Sequence, residues 1–296
     1  MPISLRESAG GQYSQHGEEG VIQAIFNEIG VKTKTCVEIG AYRLQRISNV
    51  YSLWTNGWKA LLIEGDPMRY KRLVQDYAAH PQAREQRVTI VNRFGAEEGP
   101  DSLDTILASQ RFPSDFDLLC IDVDGLDFHL WRGLTRFRPR LVVVEYNPTI
   151  PPHIELVGSG KGNEIGCSLL SLTKLAREKD YSLVASVIWN AFFVRREDAG
   201  SFRDADDIEK LFDPIYLRHA MQTNTGEIFY DGPMFVRPRP FCRDSEALDS
   251  SSLDLYRTPN TLGSAAKEAA LYCLRPVKHF IWRRMGWSPA SKLFKR

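Results

Sequence analysis

No stretch of this 296-residue chain approaches the roughly 20 consecutive apolar residues that cross a bilayer. Its first residues, MPISLRESAGGQYSQHG, lack the apolar core of a secretory signal, so a cytoplasmic location is expected. Cysteine is sparse and unpatterned. Cys36, Cys120, Cys167, Cys242 and Cys273 are odd in number and form no C-x-x-C pair, which excludes a disulfide framework and a thiolate zinc site. There is no internal repeat, and no excess of one charge: the net charge is +1. With 43% hydrophobic and 25% charged residues the chain belongs with ordinary globular proteins, not with disordered ones. The charge is nevertheless uneven. From Lys267 onward eight Lys or Arg face one acid, Glu268, a balance of +7 that leaves −6 on residues 1–266. An acidic body of this kind is a poor partner for nucleic acid.

What is present is a rhythm. Val21, Ile22, Ile25, Phe26 and Ile29 recur at helical spacing and stop at Gly30. Short apolar runs then alternate with helical stretches: TCVEI (35–39), ALLIE (60–64), VTIVN (88–92), DLLCID (117–122) and RLVVVEYN (140–147), with helices expected near 47–56, 67–78, 102–110 and 127–135. Continuous apolar strands are buried on both faces, as in a parallel sheet covered by helices. The repeated βαβ pattern predicts an α/β fold with a doubly wound, mostly parallel, Rossmann-like sheet. Residues 148–166 break the rhythm with three prolines and four glycines, a long functional loop. A helix is expected at 168–179. YSLVASV (181–187) and NAFFVR (190–195) follow too closely for a crossover and must pair antiparallel, the ending of a class I methyltransferase sheet.

Ligands of such sheets sit beyond the carboxyl ends of the strands. Four of those five ends carry acids: Glu38 before Gly40; Glu64 and Asp66; Asp122 and Asp124 before Gly125; and Glu145 before Asn147. The third ends in Asn92. Any one of these acids could simply cap the next helix. Together they aim several carboxylates at one crevice, a costly arrangement without a ligand, hydrogen bonds or a cation. Glu64, 24 residues after Gly40, stands where a carboxylate accepts both ribose hydroxyls of an adenosine. The turn after Glu38 has only Gly40, so a pyrophosphate lacks its cradle and NAD and FAD are disfavoured. A cofactor without phosphates, such as S-adenosyl-L-methionine, needs no cradle.

The segments YSQHGEEGVI, CVEIGAYRLQRISNVYSLWTNGWKALLIEGDP, VNRF, LLCIDVDGLDFHLW, RLVVVEYN and SLLSLTKLAREKDYSLVASVIWNAFFVR resemble the FkbM-like S-adenosylmethionine-dependent methyltransferases, especially members associated with polysaccharide loci, over about residues 12–196. The resemblance implies a methyltransferase domain over 1–196 that holds S-adenosylmethionine through Glu38, Gly40 and Glu64, with Asn92 and Asp122 beside them. The chain departs from the family in its glycine loop, which reads Gly40, Ala41, Tyr42, Arg43, Leu44 where relatives carry more glycine. Residues 197–263 are expected to form an acceptor or interface segment, and 264–296 a basic amphipathic tail.

Methyl transfer to a hydroxyl needs alignment and a proton acceptor. The candidates are Asp122, Asp124 and His16, with Gln15, Glu145 and Asn147 as substrate ligands or, joined to the two aspartates, as a magnesium site. His153 and His129 are weaker candidates, and Asp127 reads as a helix cap. Three functions fit: an O-methyltransferase acting on a sugar or glycan hydroxyl; a glycosyltransferase in which Asp122-x-Asp124 holds a metal against a diphosphate; and an inactive relative that binds a glycan or protein, suggested by Tyr42 and Leu44. In the tail, Leu271, Leu274, Val277, Phe280, Ile281, Trp282, Met285 and Trp287 are interleaved with basic residues, which suits contact with an anionic membrane. A solvated tail, or one docked on protein, is the rival expectation.

Overall fold

A computed structural model describes residues 5–160, 166–214, 217, 219–222 and 228–231, all within the first of two units, Met1–Phe241 and Cys242–Arg296. The basic tail and much of the 197–263 segment lie outside the described residues.

The first unit is built on five parallel strands, β1 (Thr35–Ile39), β2 (Lys59–Glu64), β3 (Val88–Asn92), β4 (Leu118–Ile121) and β5 (Leu141–Glu145). Two further strands, β6 (Tyr181–Val187) and β7 (Asn190–Arg195), form a hairpin, and β7 pairs antiparallel with β5. The resulting order is β3-β2-β1-β4-β5-β7-β6. The switch point, where the order reverses, falls between β1 and β4.

Alternation along each strand divides the core in two. Cys36, Leu62, Cys120 and Val143 face a layer containing α1 (Glu18–Ile29), α2 (Tyr51–Thr55) and α3 (Pro67–Ala78). Val37, Ile39, Ile121 and Val144 face the opposite layer of α4 (Leu103–Ser109), α5 (Asp127–Gly133) and α6 (Leu169–Glu178). Both faces of the strands inside the sheet are therefore dry, which is why they read as unbroken apolar runs, while the edge strand β3 is only partly covered. The doubly wound, mostly parallel sheet with its antiparallel terminal hairpin is as expected.

Helix starts follow local chemistry. Asp66 accepts from the backbone N–H groups of Met68 and Arg69 with Pro67 at the first helical position; Ser102 and Ser168 cap α4 and α6 in the same way. The helix expected over 47–56 is shorter, Tyr51–Thr55, because the residues before it are held as a loop by the Glu38 carboxylate. Beyond the hairpin come α7 (Ile208–Leu211) and a separate antiparallel pair, β8 (His219–Gln222) and β9 (Ile228–Asp231).

The amino edge of the sheet is closed by a buried polar knot. Asp117, fully buried, accepts from the backbone N–H groups of Lys32, Thr33 and Lys34. Arg140 stands 3.5 Å from it and donates to the carbonyls of Ile29 and Gly30.

Candidate active site at the carboxyl edge

Gly40 makes the first turn possible. Its φ is +86°, and a side-chain carbon there would run into the Asp122 carbonyl oxygen, so only glycine lets the exits of β1 and β4 meet. The turn is tied to β2 by the N–H groups of Gly40 and Ala41, which both donate to the Ile63 carbonyl. The two bulky residues of this loop do not share a fate. Leu44 is buried in the α1–α3 layer, whereas Tyr42 is exposed, with the guanidiniums of Arg43 and Arg69 at 5.3 and 4.6 Å from its ring centre.

Glu38 is almost fully buried. Its carboxylate accepts from the Asn49 N–H at 2.7 Å and the Ser48 hydroxyl at 2.8 Å, so it organises the loop running from β1 to α2. Burial outweighs these bonds and pushes the carboxyl up to about 7. Across the switch point, burial raises Asp122 strongly, and the nearby Asp127, Asp124, Glu38 and Glu18 add to the effect. Glu145 is raised by burial and then by Asp127, Asp122 and Asp124, although it accepts a bond from the Asp124 N–H. Asp127 is raised by burial despite accepting from the Val123 and Gly125 N–H groups at 2.8 and 2.9 Å. Expected to cap its own helix, Asp127 instead grips the β4 exit loop. Glu38, Asp122 and Glu145 are thus brought together as expected of strand ends, and Asp127 and Glu18 join them.

Asp124 is different. It is exposed, with a left-handed φ of +58°. The Asn147 side-chain oxygen accepts from the Thr149 N–H and hydroxyl, shaping the start of the long loop. Gln15 is exposed. Among the described residues no three His, Cys, Asp or Glu side chains lie as a metal ion's ligands would. The magnesium set expected from Asp122, Asp124, Glu145 and Asn147 does not stand as a ligand group among the described residues: the Asp124 N–H engages Glu145, Thr149 engages Asn147, and Asp124 faces solvent.

At the exits of β2 and β3, Glu64 is buried, and one of its carboxylate oxygens accepts from the Asp66 N–H at 2.8 Å. Its register partner Asn92 donates its amide to the carbonyls of Glu64 and Gly65, bracing the turn. Sequence reasoning missed Phe94. Its ring is 68% exposed and rests on Gly65, where a side chain would displace it. A large aromatic face is thus left in solvent at the turn that follows Glu64. The signal was in the VNRF segment, read only for its asparagine.

Two histidines can be assigned. His129 contacts the Gly158 carbonyl at 2.8 Å and Glu97 at 3.3 Å, and so fastens loops together. His153 is exposed and lines a cleft of about 530 Å³ with Pro151, Pro152, Glu209, Phe212 and others, between the start of the long loop and α7. His16 sits just before α1, beside Glu18.

No family model and no curated protein matches the chain. Among solved structures, the methyltransferase domain of a bacterial CtHen1 is similar, at 13% identity, over 60% of this chain and 96% of that one, with a TM-score of 0.40. The glycopeptide N-methyltransferase MtfA is similar at 11% identity over 64% and 94%, with a TM-score of 0.38. At these scores the likeness adds nothing to what the strand order and the side chains themselves say.

Proposed function

We propose that the chain is an S-adenosylmethionine-dependent O-methyltransferase, of FkbM-like type, whose acceptor is a hydroxyl of a sugar or glycan. The observation that carries this reading is the pairing of two features on one edge. Carboxyls crowd the switch point closely enough to raise one another's pKa. Next to them stand a carboxylate and a free aromatic face, the recognition set of a nucleoside. A nucleoside that carries positive charge satisfies both. The strand order, with β7 inserted antiparallel beside β5, is that of class I methyltransferases and agrees with it.

S-adenosylmethionine would supply an electrophilic methyl group on a sulfonium. Glu64 would accept the ribose hydroxyls, Phe94 would stack on the adenine, and the Gly40 turn would admit the amino-acid portion. Asp122, Glu145 and Glu38 would lose their protons to meet the charge of a bound sulfonium and ammonium. A cleft lined by Pro151, His153 and Phe212 opens among residues that follow β5 in the chain. The methyltransferase reading is favoured over the diphosphate one by the strand order, with β7 antiparallel beside β5.

Methyl transfer from labelled S-adenosylmethionine to a panel of free and lipid-linked glycans tests the reading. Labelled glycan supports it; cofactor binding with no transfer to any hydroxyl favours a binding module. No helix among the described residues is long and apolar enough to cross a membrane. For the tail we propose peripheral contact with anionic lipid, to be seen as sedimentation with anionic but not neutral vesicles. Equal sedimentation after removal of 264–296 would contradict it.

A further inference from the structure

His16 and Glu18 are arranged in a way that cofactor binding does not explain. Glu18 is fully buried at the start of α1. Its carboxylate accepts from the His16 N–H at 2.8 Å and from the Asn190 amide at 3.1 Å, which ties it to the first residue of β7, opposite Glu145 in the β5–β7 register. Burial raises its pKa, but its contacts with His16 and the backbone outweigh that and leave Glu18 below the usual carboxylate range. The two bonds hold the carboxylate in place. His16 Nδ1 is buried, makes no hydrogen bond to the described residues, and stands 3.7 Å from the Glu18 carboxylate.

A neutral imidazole holds its one proton on either nitrogen. With the proton on Nδ1, an N–H faces the carboxylate. With the proton on Nε2, a lone pair faces it in a buried site, an electrostatically costly arrangement. The 18% of the His16 side chain that remains exposed leaves Nε2 on the open edge of the ring. Glu18 is also close enough to raise Asp122, so the pair stands beside the acidic crevice.

We infer that Glu18 and Asn190 are positioning residues that hold His16 as its Nδ1–H tautomer, so that Nε2 accepts the proton of the acceptor hydroxyl. In that step the O–H bond breaks, an N–H bond forms at Nε2, and the electron pair stays on oxygen, which becomes the nucleophile. The imidazolium then formed is balanced by Glu18. This assignment rests on the methyltransferase reading for its substrate, but not for its geometry.

The test uses the full chain labelled with nitrogen-15, with His16→Gln to assign the signal. Long-range proton–nitrogen spectra, taken where the imidazole is neutral, report which nitrogen carries the proton. The expected result is a proton on Nδ1 of His16 and a bare Nε2, with the preference lost or reversed in Glu18→Gln, whose amide can donate to Nδ1. A proton on Nε2 in the unaltered chain, or an unchanged tautomer in Glu18→Gln, overturns the inference. If Glu18→Gln does not fold, Asn190→Ala is expected to weaken the preference, and an unchanged one counts against it. An Nδ1–H tautomer in a chain that binds no S-adenosylmethionine would leave the positioning intact and remove the methyltransferase reading instead.

Discussion

Phe94 has a ring 68% exposed that rests on Gly65, which makes it the sharpest single-residue test of a nucleoside site. Phe94→Ala removes a stacking surface and little core, so stability should hold while S-adenosylmethionine affinity falls by about 0.5–1.5 kcal/mol, or roughly two- to tenfold. Calorimetric titration of both proteins measures this, and equal affinities would count against the platform. At this scale the sequence was only partly readable. Glu38, Glu64, Asp122 and Glu145 could be found because strand ends are predictable and acids there are conspicuous. Which acids grip backbone and which face a ligand could not, because that depends on loop hydrogen bonds such as those of Asp127 to Val123 and Gly125. Phe94 was missed because aromatic residues usually read as core, and Glu18 because it was read only as the setting of His16.

At the scale of elements, the two edges of the sheet do different work. The amino edge is braced by Asp117 and Arg140, far from the strand exits, and Asp117→Ala would leave the buried guanidinium with only the partly exposed Asp198, 3.4 Å away. Breaking such a pair costs about 3–5 kcal/mol, and chemical denaturation should show a loss of that size. Cofactor affinity of the folded variant should stay unchanged; a matching loss of affinity would mean that the edges are coupled. A change at the other edge should act differently: Gly40→Ala forces a left-handed φ on alanine and pushes into the Asp122 carbonyl, so both stability and cofactor affinity should fall. Strands were legible because burial on both faces writes an unbroken apolar run. Helix α2 was overestimated because apolar spacing cannot show that Ser48 and Asn49 are held by a carboxylate from another strand.

For the whole molecule, the crowded carboxyls link charge to stability. Glu38 titrates near 7 in the fold, and Asp122 and Glu145 are also raised, against about 4 for unfolded carboxyls. The folded chain then holds more protons than the unfolded one between these values, so the contribution of these groups to stability is fullest below about pH 4 and is lost as pH rises toward 8. Thermal unfolding should show a lower Tm at pH 8 than at pH 5, and saturating S-adenosylmethionine should shrink the difference by supplying positive charge. A Tm that rises over this interval would show that the carboxyls are not held protonated by burial.

The central claim, that this edge binds a phosphate-free, positively charged nucleoside through Glu64, is tested most directly by titrating the full chain with S-adenosylmethionine in the calorimeter beside Glu64→Ala. The account predicts saturable binding at one site without added metal, weakened in the variant by about 1.5–3 kcal/mol, the scale of a charge-assisted hydrogen bond. No binding of S-adenosylmethionine by the unaltered chain, together with binding of a nucleotide sugar in the presence of manganese, would contradict it.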